Sequence, residues 1–334
     1  MVIFAYPLRL GALVAAVLLV LPLGFTEPFA QNILILTLLY AALSQAWNLL
    51  GGYCGQVSLG QALYFGLGAY ASSILFTRYG VSPLVGAPVG GALSALLALL
   101  LGWPFFRLRG HYFAIATIVI AEAGYLLLLN WDWAGAALGI LIPAKGDSWL
   151  NFQFQKSKLP YYYGILALAS LLWLFSYWIE KSKWGFYWRA VRGSSEAAES
   201  LGVSIFRYKM MAAAASAFFT SICGSFYAQY VFYIDPDSTV TFAISVLICL
   251  PAVLGGIGTL WGPAVGAAVL IPTSELIRAY LGGTGRGGDL VVYGALIMIV
   301  ATLIPQGITG LITGAARRCG YRGNAQPEVR RDAS

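Results

Sequence analysis

The sequence predicts an all-α integral membrane protein with about ten transmembrane helices, and three observations carry that prediction. Hydrophobic residues make up 59% of the 334 positions and charged residues only 10%, whereas a soluble domain carries about a quarter charged residues. Apolar runs of about 18 residues or more recur along the chain, each long enough for the roughly 30 Å of hydrocarbon in a bilayer. The segments of about 10 residues with alternating polarity that build an outer-membrane barrel are absent.

The first run, 8–25, follows Arg9 and has the outline of a secretory signal. Thr26-Glu27-Pro28-Phe29 offers no small-residue cleavage site, so the run reads as a retained span. Further spans are expected at 29–49, 57–77, 83–103, 111–130, 161–179, 209–232, 242–258, 262–281 and 289–311. The eighth, 242–258, is short and broken by glycine, which makes it the weakest candidate for a full crossing. With the N-terminus inside, fourteen of the 20 Lys and Arg residues fall on the cytoplasmic side. That bias places both termini in the cytoplasm. It also accounts for the net charge of +7 without a nucleic-acid partner.

Three connections are long. The outer segment 131–160 mixes aromatic residues with Gly, Pro and Lys and is expected to hold a re-entrant or surface helix. The inner segment 180–208 carries Glu196-Ala197-Ala198-Glu199-Ser200-Leu201-Gly202, a polar, helix-prone island among basic residues. The tail 315–334 is basic, then polar, and is expected to be disordered. Cys54, Cys223, Cys249 and Cys319 contain no C-x-x-C pair and read as small core residues. His111 is the only histidine, so a histidine-clustered metal site is excluded.

Four constellations carry the functional reading. In the inner loop, Ser194 or Ser195 is placed to cap a helix starting near Glu196, with acidic residues at its positive end and Gly202 as its stop. The result is a knob about 10 Å long, either a docking element or a plain interfacial helix. In the second, the stretch from Asn48 to Tyr70, with Gly51-Gly52-Tyr53-Cys54-Gly55-Gln56-Val57-Ser58-Leu59-Gly60-Gln61 at its centre, has the glycine density of a broken or tightly packed helix. Broken backbone at depth is tolerated only against protein or a water-filled cavity, so Gly55, Gln56, Ser58, Gly60, Gln61 and Tyr64 are candidates to line a path. The bland alternative is packing through small residues. A loosely similar element, Gly255-Gly256-Ile257-Gly258 with Gly262-Pro263 and Gly266, hints at an internal repeat.

The third constellation is Glu122, about 16 Å along a helix from His111 and hence near mid-bilayer. A charge there costs about 2.5–3.5 kcal/mol. It is expected to face the bundle interior, either as a structural anchor or as part of a path. The fourth, Asp235-Pro236-Asp237-Ser238, is a turn with its own side-chain chemistry, or else a rim touched by a partner. No phosphate-binding G-x-x-x-x-G-K-[ST] loop occurs, so any nucleotide hydrolysis belongs to another chain. No nucleophile, histidine and acid set is present, so the chain reads as a transport subunit and not an enzyme.

Taken in order, Gly52–Gly60, Phe65-Gly66-Leu67-Gly68-Ala69-Tyr70, Arg109-Gly110-His111-Tyr112-Phe113-Ala114-Ile115 with Glu122, the Glu196–Gly202 loop, Leu254–Pro263 and Tyr293-Gly294 resemble the branched-chain amino-acid permease family of ABC importers, in its longer subunit form. The resemblance implies a transmembrane permease domain over 1–314, ahead of the tail, in a bacterial inner membrane. It implies a heterodimer with a second permease, two cytoplasmic ATPases that hold the ATP and Mg, and an extracytoplasmic solute-binding protein. It makes Glu196, Ala197, Ala198 and Gly202 an ATPase-coupling loop and branched-chain amino acids the expected solute, with no cofactor in this chain. Two departures concern the solute: Gln61 stands where the family has histidine, and Trp133-Ala134-Gly135-Ala136-Ala137-Leu138-Gly139 where it tends to Thr-Gly-Gly-x-x-Gly. Urea, short amides and aromatic acids stay open for that reason. The rivals are a stand-alone secondary transporter, which needs paired acids or ion ligands in broken helices, a membrane-embedded enzyme and a channel.

Overall fold

The computed structural model describes residues 7–24, 27–108, 110–154, 157–281, 294 and 307–310. Its long helices are α1 (Pro7–Gly24), α2 (Pro28–Asn48), α3 (Gln61–Tyr79), α4 (Pro83–Phe105), α5 (His111–Leu129), α6 (Leu159–Lys181), α9 (Ile205–Val231), α11 (Phe242–Gly255) and α12 (Gly262–Leu281). Between them lie three short helices, α7 (Lys183–Gly193), α8 (Ser195–Ser200) and α10 (Pro236–Thr239). Six helical segments among the described residues are long and apolar enough to cross a membrane: Pro28–Tyr53, Pro83–Phe105, His111–Leu129, Leu159–Lys181, Ile205–Val231 and Pro236–Gly255. The expected count of about ten crossings is not confirmed among the described residues. The tenth expected span, 289–311, lies outside the described residues apart from 294 and 307–310, and the tail 315–334 lies outside them entirely.

Local chemistry sets the helix ends. Pro28 and Pro83 occupy first turns, where a missing N–H costs nothing. Gly80 closes α3 in the left-handed region, at φ +68°. Ser82, Ser182 and Ser194 accept backbone N–H groups at the starts of α4, α7 and α8. The Asp235-Pro236-Asp237-Ser238 turn is a capping box for α10, in which the Asp235 side chain accepts from Ser238 N and the Ser238 side chain accepts from Asp235 N.

Helices α2, α3 and α9 form the centre. Small residues let α3 and α9 approach at backbone distance: a Cβ on Gly68 would overlap the Ser221 carbonyl, and one on Gly224 would overlap the Phe65 carbonyl. Ser225 Oγ donates to the Gly68 carbonyl at 2.9 Å across the same seam. The main apolar cluster runs from Ile35 and Leu39 through Trp47 to Ile165, Trp188 and Cys223. Cys54, Cys223 and Cys249 are buried free thiols, as expected of small core residues; Cys319 lies outside the described residues.

The 131–160 segment departs from expectation. Its described residues form two single 3₁₀ turns, Asp132–Ala134 and Ala136–Leu138, and a two-residue strand, β1 (Ile140–Leu141). β1 pairs antiparallel with β2 (Tyr233–Ile234) at the end of α9. No surface or re-entrant helix occurs among the described residues at 131–154, and Gly135 and Gly139, both at positive φ, end the two 3₁₀ turns. The segment is sewn to the bundle by Arg78 donating to the Trp133 carbonyl, Ser82 donating to the Leu150 carbonyl, and Ile142 N donating to the Phe232 carbonyl.

Candidate functional site

The third expected span begins four residues later than the hydropathy suggests. The α2 helix ends at Asn48 and widens into a π turn, Leu49–Tyr53; residues 54–60 are irregular, and α3 starts at Gln61. Such bulges recur at functional positions in helices. The break is mostly buried, with Gly55 and Gln56 half-exposed and Val57 exposed, and it is held from several sides. Trp47 Nε1 donates across it to the Ser58 carbonyl at 2.7 Å, and Gln56 N closes back on the Leu50 carbonyl at 3.1 Å. Leu59 N donates to Thr117 Oγ1 on α5 at 3.0 Å, and a Cβ on Gly60 would overlap the Thr117 carbonyl.

The two glycine-rich elements, some 200 residues apart in sequence, meet here. Asn48, fully buried, is the staple: its Oδ1 accepts from Gly258 N at 2.8 Å, and its Nδ2 donates to the Thr259 carbonyl at 3.0 Å. Gly52 lies against both Asn48 Oδ1 and Gly258 N, where a Cβ has no room. The sequence shows the likeness of the two elements but not their contact, and it gives no role to Asn48, which opens the first of them.

Of the path candidates, Gly55 and Gln56 are half-exposed, while Ser58 and Gly60 are buried. Gln61 is fully buried, with Nε2 donating to Ser216 Oγ at 3.0 Å and Oε1 accepting from Thr220 Oγ1 at 3.3 Å. It bolts α3 to α9. Tyr64, one turn on, is half-buried and packs against the main cluster.

Glu122 is not in the bundle interior. It sits exposed on α5, the least buried of the six membrane-length helices. Tyr112, Ile115, Val119 and Leu126 flank it along the same exposed stripe. Thr117 faces the break at Leu59 and Gly60, and Gly124 faces Leu63 on α3, so these two residues of α5 turn inward while the Glu122 carboxylate turns out; Tyr125 donates to Asp237 Oδ1 at 2.7 Å on the exposed side. Among the described residues its carboxylate has no hydrogen-bond or ion-pair partner. The expectation failed because the apolar residues around Glu122 on α5 form an exposed stripe and do not pack into the bundle.

The inner loop is built from the expected parts. Ser194, not Ser195, is the N-cap of α8, its Oγ accepting from Ala197 N at 3.2 Å, and Ser195 Oγ returns to the Val191 carbonyl at 3.1 Å. Gly202 ends the helix at φ +83°, its N donating to the Glu199 carbonyl at 2.9 Å. Ala198 packs inward; Glu196, Ala197 and Glu199 face out. Next to them Leu201 is 85% exposed, an apolar anchor that composition gave no reason to single out. The knob is fixed through α7: buried Trp188 donates to the Tyr208 carbonyl at 3.0 Å, and Arg189 pairs with Glu180 at 3.7 Å. From the last turn of α7, Arg192 Nη1 donates to the Gly52 carbonyl at 2.6 Å.

The arrangement joins a rigid exposed knob to a buried helix break in a protein with several membrane-length helices. Among the described residues no group of three or more His, Cys, Asp or Glu stands close enough to hold a metal ion.

The comparisons with known proteins agree with this picture. Residues 29–301 match the family described as branched-chain amino acid transport system / permease component. The chain is 29% identical over 299 residues to the high-affinity branched-chain amino acid transport system permease protein LivM of Escherichia coli (strain K12), with 83% of this chain and 69% of that one covered. It is 23% identical over 288 residues to the permease protein LivH of Salmonella typhimurium, covering 81% and 91% of the two chains. No solved structure matches.

Proposed function

This chain belongs to the branched-chain amino acid permease family, and from that premise we propose that it is one permease subunit of an ATP-driven importer of branched-chain amino acids. It is a multi-pass membrane protein, and in this reading both its termini face the cytoplasm of a bacterial inner membrane. A second permease covers the α5 stripe, two ATPases dock on α8, and a solute-binding protein delivers from the opposite side. ATP and Mg reside in the ATPases.

The observation that carries the reading is the join between α8 and the break at 49–60. A knob that is capped at both ends, exposed, and tied by backbone and side chain to a buried interruption is suited to receive force and pass it on. The carboxylate of Glu122 supports the partner assignment. Left against lipid it is costly; against a second subunit or a solute lumen it is not. Gly55 and Gln56 line the accessible side of the break, and Glu122 lines the seam. Ser58, Gly60, Gln61 and Tyr64 support these from behind. Glu196, Ala197, Ala198 and Gly202 form the coupling loop, with Leu201 as its apolar anchor.

The experiment is uptake of radiolabelled leucine into proteoliposomes holding the co-expressed subunits and the binding protein, with and without internal ATP. Leucine accumulation that requires ATP is the expected result. Accumulation of urea, a short amide or an aromatic acid in place of leucine moves the solute and leaves the machine intact. Uptake by this chain alone, independent of ATP, overturns the proposal in favour of a secondary transporter.

A further inference from the structure

Arg192 does more than mark the cytoplasmic side. It leaves the last turn of α7, two residues before the cap of α8, and its guanidinium crosses to the Gly52 carbonyl at 2.6 Å. Three glycines make the slot that receives it. Gly55, at φ +73°, faces the stem of the side chain: a Cβ there would lie 2.9 Å from Arg192 Cγ. Gly258, at φ +76°, faces the head, and a Cβ there would overlap Nη1. Gly52 supplies the acceptor. The slot thus draws on both glycine-rich elements, which the Asn48 staple already holds together.

The α7 and α8 helices form one piece with the end of α6 and the start of α9, through Arg189 with Glu180 and Trp188 with Tyr208. Arg192 supplies a hydrogen bond from this piece into the π turn. Only arginine combines the reach with a fixed fork of donors. A charged donor on a carbonyl also makes a stronger bond than a neutral one.

We propose that Arg192 is a positioning residue for coupled transport: seated among Gly52, Gly55 and Gly258, it carries displacement of α8 into the break at 49–60. This rests on the ATP-driven reading above, and it adds a role that neither the loop motif nor the family match assigns.

The test uses the complete transporter in proteoliposomes and reads two rates together, ATP hydrolysis and leucine uptake. Arg192→Gln removes the charged bond, and Gly258→Ala evicts the guanidinium without touching Arg192. Both are expected to keep the ATPases bound and hydrolysing while leucine moved per ATP falls about tenfold or more, the scale of one lost charge-assisted bond. Arg192→Lys is expected to recover part of that ratio. An unchanged ratio in either variant that assembles overturns the proposal. So does an equal fall in both rates, or failure of both variants to assemble, since each assigns Arg192 to folding alone. A wild-type complex whose uptake ignores ATP sinks the underlying reading instead, whatever Arg192 does.

Discussion

The Asn48 staple yields a prediction with a worked magnitude. Asn48→Ala removes two hydrogen bonds that join α2 to the 256–261 turn, at 2.8 and 3.0 Å. Interhelical hydrogen bonds in membrane proteins contribute on average about 0.6 and at most about 1.7 kcal/mol each. Two of them, with a backbone N–H and a carbonyl left without partners, place the loss at about 2–3 kcal/mol. Gly52→Ala attacks the same contact from the other side. Its Cβ would overlap Asn48 Oδ1 and lie 2.7 Å from Gly258 N, so Asn48 must swing away or the turn must retreat, at about 1–3 kcal/mol. Because one contact is destroyed in both cases, the double variant is expected to cost about as much as the worse single one. The assay is SDS-titration unfolding in mixed micelles followed by tryptophan fluorescence, with a double-mutant cycle. Costs that add to within about 0.5 kcal/mol, as for independent sites, refute the staple.

Three further outcomes are expected. Gly202→Asp forces a side chain into a φ of +83° at a position with open space around it, so the protein inserts normally, yet uptake per ATP collapses; full uptake removes the coupling assignment. Gln61→Leu strands Ser216 and Thr220 between α3 and α9 and lowers stability by about 1–3 kcal/mol, while Gln61→His, which keeps one donor and one acceptor, loses less in the same titration. Glu122→Gln leaves expression and unfolding within about 0.5 kcal/mol of wild type but cuts uptake several-fold; unchanged uptake makes the carboxyl a bystander.

Much of the architecture was readable because membrane helices announce themselves by length and apolarity. The knob was readable because its cap and stop are local: Ser194, Glu196 and Gly202 act within one short stretch. What escaped depends on distance along the chain. Asn48 meets Gly258 across 210 residues and Arg192 meets Gly52 across 140, and no periodicity encodes such pairs. Arg192 was hidden further by its charge, which the topology rule had already explained. The β1–β2 pairing was missed because each strand is only two residues long, too short for any alternation to show. Glu122 was misplaced for a different reason: α5 is apolar nearly all round, so its sequence does not show which face packs inward, and the carboxylate lies on the exposed one.

The stitched ribbon at the far end of α9 has one more consequence. Helix α9 runs 27 residues from Ile205 beside the knob to Val231 beside β2, about 40 Å at 1.5 Å per residue. With β2 clasped to β1 and the 131–154 segment knotted over it, that end is the natural pivot. A tilt of about 5° there sweeps the other end through roughly 3–4 Å at this helix length, so an angular change too small to disturb the rim becomes a full atom's width beside the knob.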